Sequence, residues 1–285
     1  MLGSVAVAAF SLSLPATRAA VAGGIPPLLV AFGRAAIAGL LATGYLLAVR
    51  APRPDRATWR RLAVVAAGVV FGFPVLTSLA LESEGAAHGG VVIAVLPAAT
   101  AVLAVLRGRE RPSVAFWLAS AAGSACVLAF AVTSGSLGSW SGLSRADVML
   151  LLAVVLCAAG YAEGGLLART LGGARTISWA LVLALPLNLV FSALVLAGHG
   201  GVPAAGPAAW LGFGYVSLVA MYLGFFAWYA ALAHGGVARV GQVQLAQPVL
   251  TLVAAALLLD EHVGVTTALA ALAVLACVAI TQRVR

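Results

Sequence analysis

Lysine is missing from this 285-residue chain, and its charged side chains amount to 16 arginines against 8 Asp and Glu. That is 8% of the sequence, where a soluble domain carries about 25%, and 63% of the residues are hydrophobic before the 32 glycines are counted. With a mean hydropathy of +1.11, too little polar surface is left to face water, which excludes a soluble globular protein. Cysteine is scarce as well. Cys126, Cys157 and Cys277 lie in apolar stretches without CxxC spacing, so neither a disulfide framework nor a cysteine metal site is indicated, and they read as small packing residues. The four histidines, His88, His199, His234 and His262, fall in four separate breaks with no HxxxH or HExxH partner, and no GxxxxGK[ST] loop is present. A polytopic membrane enzyme is therefore the weaker alternative of a different class, any energy for work must come from gradients, and no metal or other cofactor is expected. The net charge of +8 does not point to nucleic acid, because the arginines punctuate apolar runs instead of collecting on one face.

What the sequence does contain is apolar runs of membrane length. A spanning helix takes about 20 apolar residues, so ten would use roughly 200 positions and leave roughly 85 for breaks and tails, with no room for a second, soluble domain. The runs predict ten spans, at 2–22, 25–49, 62–81, 87–106, 113–133, 147–168, 177–197, 208–232, 236–259 and 264–281. Met1-Leu2-Gly3-Ser4 enters the first run without a basic segment, which reads as a retained first span and not a cleaved signal. Thirteen of the sixteen arginines occupy the breaks after spans 2, 4, 6 and 8 and the C-terminus: Arg50, Arg53, Arg56, Arg60, Arg61, Arg107, Arg109, Arg111, Arg169, Arg175, Arg239, Arg283 and Arg285. The opposite breaks hold Glu82, Glu84, Asp147, Asp260 and Glu261, with only Arg145. Arginine on the inner side predicts that both termini are cytoplasmic.

A shift of 151 residues aligns 80–128 with 231–279 without a gap, giving 19 identities in 49 positions. Pro97 meets Pro248, Thr100 meets Thr251, Glu110 meets Glu261 and Cys126-Val127 meets Cys277-Val278, and the same offset pairs Arg18 with Arg169. Such self-similarity predicts a duplicated five-helix unit, residues 1–140 and 141–285. An odd number of helices forces the second copy into the membrane from the other side, so the halves are inverted. Inverted repeats are a mark of secondary transporters, which hold substrate at the repeat interface and expose it to each side in turn; a duplicated channel or scaffold is the bland alternative. The expected fold is an all-α polytopic membrane protein of ten helices in a 5+5 inverted repeat.

The short motifs in their order are Pro15-Ala16-Thr17-Arg18, Phe32-Gly33-Arg34-Ala35, Leu81-Glu82-Ser83-Glu84-Gly85-Ala86-Ala87, Trp228-Tyr229-Ala230-Ala231-Leu232, Gly235-Gly236-Val237-Ala238, Gln247-Pro248-Val249 and Asp260-Glu261. Together with the helix count they resemble the drug/metabolite transporter superfamily, and within it the EamA family, over essentially the whole chain. The resemblance implies efflux of small metabolites across a bacterial inner membrane, with amino acids, drugs and other organic solutes among family substrates. It looks most like the aromatic amino acid exporter branch. The partners expected are a small-molecule substrate and the lipid bilayer, with no nucleic acid, and a monomer is the expected state.

Candidate site residues follow from polar groups placed where lipid or protein must hold them. Val240, Gln244, Gln247 and Thr251 share a helical face, and Pro248 displaces the carbonyl of residue 244 beside both amides. That face is either a binding hinge or a packing kink with interhelical hydrogen bonds. Pro97 and Pro74 loosen the carbonyls of Ile93 and Val70 in the same way, and Thr77 joins the candidate substrate-binding residues. In span 8, Tyr215, Tyr222, Phe226 and Tyr229 form a stripe. Trp228 and Tyr229 read as an interfacial belt, while Tyr222 and Phe226 either wall a cavity or pack. Two charges lie within spans. Arg34 would either bind a substrate carboxylate or serve a structural pair, and Glu163 is either a proton carrier or a snorkelling side chain. Arg18 reads as a second snorkeller.

Overall fold

A computed structural model describes residues 1–84, 89, 92–108, 110–133, 144–250 and 265–283. Thr251, Asp260, Glu261, His88, His262 and residues 251–259 of expected span 9 lie outside the described residues. Among the described residues every regular element is helical. We number the helices α1 (Leu2–Ala22), α2 (Pro27–Ala48), α3 (Arg56–Ser83), α4 (Leu96–Gly108), α5 (Val114–Thr133), α6 (Arg145–Leu171), α7 (Gly173–Gly198), α8 (Pro207–Gly235), α9 (Val237–Gly241, continuing as 3-10 helix over Gln242–Ala246) and α10 (Val265–Arg283). Six of them, α1, α2, α3, α6, α7 and α8, are long and apolar enough to cross a membrane, and α4 and α5 contribute shorter apolar helices. The chain is thus an all-helical, multi-pass membrane protein.

Local chemistry sets the ends. Expected span 3 begins six residues early, at Arg56, because the Asp55 carboxylate accepts the Thr58 amide at 2.8 Å and caps the helix. Ser144 and Asp147 form a reciprocal capping box, which starts α6 at Arg145. Expected span 4 is interrupted by a turn at Ala94-Val95, directly before Pro97 at the second position of α4. Two of the long helices carry a π-helical stretch, Ala66–Gly72 in α3 and Val216–Leu223 in α8.

The packing partners are α1 with α8, α3 with α6, α2 with α7, α4 with both α6 and α9, α5 with α10, α2 with α3, and α7 with α8. Small residues allow close approach at two of these contacts. A Cβ on Gly68 would strike the Leu156 carbonyl of α6, and one on Gly212 would come within 2.6 Å of the Ala16 carbonyl of α1. Leucines and valines such as Leu187, Val190 and Leu194 of α7 point outward, an apolar surface suited to lipid.

Two expectations about side chains change here. Trp228 and Tyr229, read as an interfacial belt, are fully buried in protein. Tyr229 donates to the Gly160 carbonyl at 3.2 Å, and its ring fills the space left by the missing Cβ of Gly164. Arg18 does not snorkel to a headgroup layer: it donates to the Leu81 and Glu82 carbonyls at 2.6 and 3.0 Å, capping the end of α3.

Candidate functional site

A cavity inside the bundle is walled by α1, α2, α3 and the start of α4 on one side and by α6, α8 and the α9 segment on the other. Its polar groups are Arg34 from α2, Tyr161 from α6, Gln244 and Gln247 from the α9 segment, and Ser13 from α1; Phe10 and Phe225 supply aromatic walls. The room is small, about 40 Å³ for the centres of water-sized molecules, which admits on the order of three waters.

Arg34 is only 4% exposed, and no described carboxylate lies beside it. Its Nη1 reaches the Thr17 hydroxyl at 3.5 Å, a long contact, while Nε and Nη2 have no hydrogen-bond partner among the described residues. Gln244 donates through Nε2 to the Tyr161 hydroxyl at 3.3 Å, leaving Oε1 without a partner among the described residues. Gln247 donates to the Phe10 carbonyl at 3.2 Å. These two amides reach one wall because the backbone tightens to 3-10 geometry over Gln242–Ala246, just before Pro248, whose missing N–H and bulky ring disfavour a regular α-turn there. Val240, expected on the same face, packs instead against Gly3 and Gly235.

Other candidates stand apart from the cavity. Thr77 is buried in α3 and donates to the Phe73 and Pro74 carbonyls at 2.6 and 3.3 Å, so its hydroxyl serves the backbone below the π-helical stretch. Tyr222 and Phe226 pack edge-to-face at 4.7 Å, with Tyr45 5.6 Å from Phe226 and Ser178 3.3 Å from the Tyr222 hydroxyl. The residues of α8 at the cavity are their neighbours Ala220, Met221 and Phe225. The physical reason is the π-helical stretch Val216–Leu223, which inserts a residue into the turn and rotates the following side chains away from where an α-period would put them.

Glu163 is held in a double ion pair with Arg61 and Arg107, the latter at 3.0 Å from Nη2, and is 4% exposed. It neither snorkels freely nor borders the cavity. Pro74 follows the π-helical stretch of α3, Pro97 the turn before α4, and Pro248 the 3-10 segment, so each marks a departure from α-geometry.

Three features escaped the sequence reading. Gln242 is fully buried, donating to the Pro97 carbonyl at 3.1 Å and accepting from Ser120 Oγ at 3.0 Å. Tyr161 is a lone tyrosine in an apolar helix, a pattern that gives no sign of a cavity. Glu110 accepts the Val237 and Ala238 amides, each at 2.9 Å, and Arg169 Nη2 at 3.1 Å, fastening the α4–α5 break to the start of α9 and the end of α6. Its recurrence as Glu261 in the repeat was the available signal.

Helical, multi-pass, with a polar-lined cavity between its first and second halves, the molecule has the form of a membrane transporter. Comparison with known proteins gives the family: the EamA-like transporter family model matches residues 1–132 and again 144–282, and the chain belongs to that family. It is 48% identical to the uncharacterized transporter YdeK of Bacillus subtilis (strain 168), over 99% of this chain and 96% of the relative. A solved crystal structure 21% identical in sequence superimposes with a TM-score of 0.75, covering 99% of this chain and 97% of the other, a likeness of fold.

Proposed function

We propose that the protein is a secondary transporter that exports small amphipathic metabolites, amino acids foremost and aromatic ones among them, across the bacterial inner membrane by alternating access. The observation that carries this is the cavity itself, with one guanidinium and two amides turned into the middle of an apolar bundle. Buried polar groups are unfavourable unless partnered, and a solute bringing polar groups of its own is such a partner. Phosphate esters and polyanions suit this interior poorly.

Several features support a five-plus-five inverted repeat. Exchanging α1–α5 with α6–α10 turns the α1·α8 contact into α6·α3, α4·α6 into α9·α1 and α2·α3 into α7·α8, and returns α2·α7, α4·α9 and α5·α10 to themselves. The two π-helical stretches begin 150 residues apart, at Ala66 and Val216, close to the repeat offset. The family model matches each half separately. Since the cavity admits only a few waters, an amino acid enters only if the walls part, and Pro74, Pro97 and Pro248 are the positions where helices flex between states. Both termini are cytoplasmic in this reading, and the protein works as a monomer.

Purified full-length protein in liposomes tests it. Counterflow of radiolabelled aromatic, aliphatic and cationic amino acids is expected for at least one class. Exchange of sugar phosphates without amino acids would overturn the substrate reading, and chemical conversion of a lipid or nucleotide would overturn the transport reading. A C-terminal reporter found outside the cell would overturn the orientation.

A further inference from the structure

We infer that Arg34 reads a carboxylate: the solute carries one carboxylate group, seated on the free edge of this guanidinium, and an N–H donor that Gln244 accepts. The inference rests on the transport reading and narrows it from amphipathic metabolites in general to apolar monocarboxylates with an amino group.

The edge is the decisive detail. In a guanidinium, Nη1 lies on the same side as Cδ, whereas Nε and Nη2 point their N–H bonds in one direction, matching the two oxygens of a carboxylate. Among the described residues Thr17 is the one hydrogen-bond partner of Arg34, and it faces Nη1; the two nitrogens of the fork have none. At 4% exposure the guanidinium is shielded from bulk solvent, and an unpaired charge so shielded is unfavourable. None of the described residues lining the cavity is Asp or Glu. The nearest carboxylate along α6, Glu163, two residues beyond Tyr161, is spent on Arg61 and Arg107. The described protein therefore supplies no counter-charge, and a ligand can.

The rest of the wall limits the ligand further. With one cation among the described residues of the cavity, a dicarboxylate or phosphate monoester would leave a negative charge uncompensated. An amine without a carboxylate would set a second positive charge near Arg34. Gln244 lines the same cavity and its Oε1, without a partner among the described residues, is the acceptor for an amino group, while Phe10 and Phe225 offer apolar faces to a side chain.

The test uses matched probes on the full chain in proteoliposomes: phenylalanine and leucine, their carboxamides, and phenethylamine and isoamylamine, which lack the carboxylate. The acids are expected to inhibit counterflow or bind at least about tenfold more tightly than the amides and amines, since charge-assisted hydrogen bonds to a carboxylate are lost. Arg34→Gln should weaken the acids roughly a hundredfold and leave the already weak amides unchanged, with Arg34→Lys between, because it keeps charge but not the fork. Amides or amines moving as well as acids through the wild-type protein would overturn the inference while leaving transport intact, and this arm needs no variant to fold. Acids bound unchanged by a well-folded Arg34→Gln protein would also overturn it. If no solute of any class moves through the wild-type protein, the transport reading falls instead.

Discussion

Glu163 and Arg34 are both charges buried inside membrane-length helices, at 3% and 4% exposure, yet their surroundings are opposite. Glu163 sits between two guanidinium groups, Arg61 from the start of α3 and Arg107 from the end of α4, and both arginines are partly open to solvent. It closes a triangle among three helices. Protonating it would strand two cations side by side, so its surroundings have the form of a clasp. Arg34 has a single long contact and an open fork. The lesson is that burial of a charge does not mark function; what remains unsatisfied around it does.

The comparison is broken most directly by exchanging the two removals. Arg34→Gln is expected to cut binding of carboxylate solutes about a hundredfold, while thermal stability in detergent stays level or rises, because an unpaired buried cation is itself unfavourable. Glu163→Gln should do the reverse. Removing one partner of a buried pair costs about 3–5 kcal/mol, but Arg61 and Arg107 are 41% and 59% exposed and can turn to water, so a loss of about 1–3 kcal/mol is expected, with solute affinity kept. A Glu163→Gln variant of normal stability that no longer couples transport to a proton gradient would reverse the assignment.

A smaller version of the same contrast lies in the 3-10 segment. Gln242 uses both ends of its amide within the protein, and Gln244 uses one. Gln242→Leu should therefore destabilise by about 1–3 kcal/mol, since Pro97 O and Ser120 Oγ lose their partner. Gln244→Leu should leave stability nearly unchanged and weaken binding roughly tenfold. Thermal melts and binding isotherms on the two variants separate these outcomes, and equal effects on both quantities would erase the distinction.

Much of this architecture was legible in the sequence because lipid imposes simple rules. Apolar length located the helices, and Pro97 and Pro248 located breaks, since a missing N–H acts locally. Arg34, Gln244 and Gln247 could be singled out because polar side chains in apolar runs are expensive. What could not be read was which of them had partners. Arg61 and Glu163 are 102 residues apart, and nothing in either segment announces the other. Register across a π-helical stretch was equally hidden. A stripe through Tyr215, Tyr222, Phe226 and Tyr229 assumes 3.6 residues per turn, and the stretch at Val216–Leu223 breaks that assumption.

Pro248→Ala probes rate instead of affinity. No ligand group is removed and a backbone donor is restored, so the 3-10 stretch Gln242–Ala246 should settle toward regular α-helix. If the segment flexes during transport, the variant binds solute within about twofold of the parent yet turns over several-fold more slowly, because one conformational state is favoured. Counterflow rates set against binding isotherms check this, and parental turnover would make Pro248 a static kink.

The smallest effect is expected at Tyr222, where the register shift in α8 makes a sharp distinction. If the aromatic cluster of Tyr45, Tyr222 and Phe226 is packing and Phe225 is the aromatic that α8 gives to the cavity wall, then Tyr222→Phe should be nearly silent in transport. The ring and its edge-to-face contact with Phe226 are kept, and the only loss is a 3.3 Å hydrogen bond to Ser178. Ser178 lies within α7 and its hydroxyl can turn back to a carbonyl of the preceding turn, so the cost should fall near the low end for a buried hydrogen bond, about 0.5–1 kcal/mol. Solute affinity should stay within about twofold. Phe225→Ala, one helical neighbour away in the other direction, should weaken apolar solutes by about tenfold or more, as an aromatic face is lost from the cavity. Binding measured for phenylalanine against both variants decides the register: an affinity loss in Tyr222→Phe equal to that in Phe225→Ala would put the cluster in the solute's path and restore the α-periodic stripe as the guide to the site.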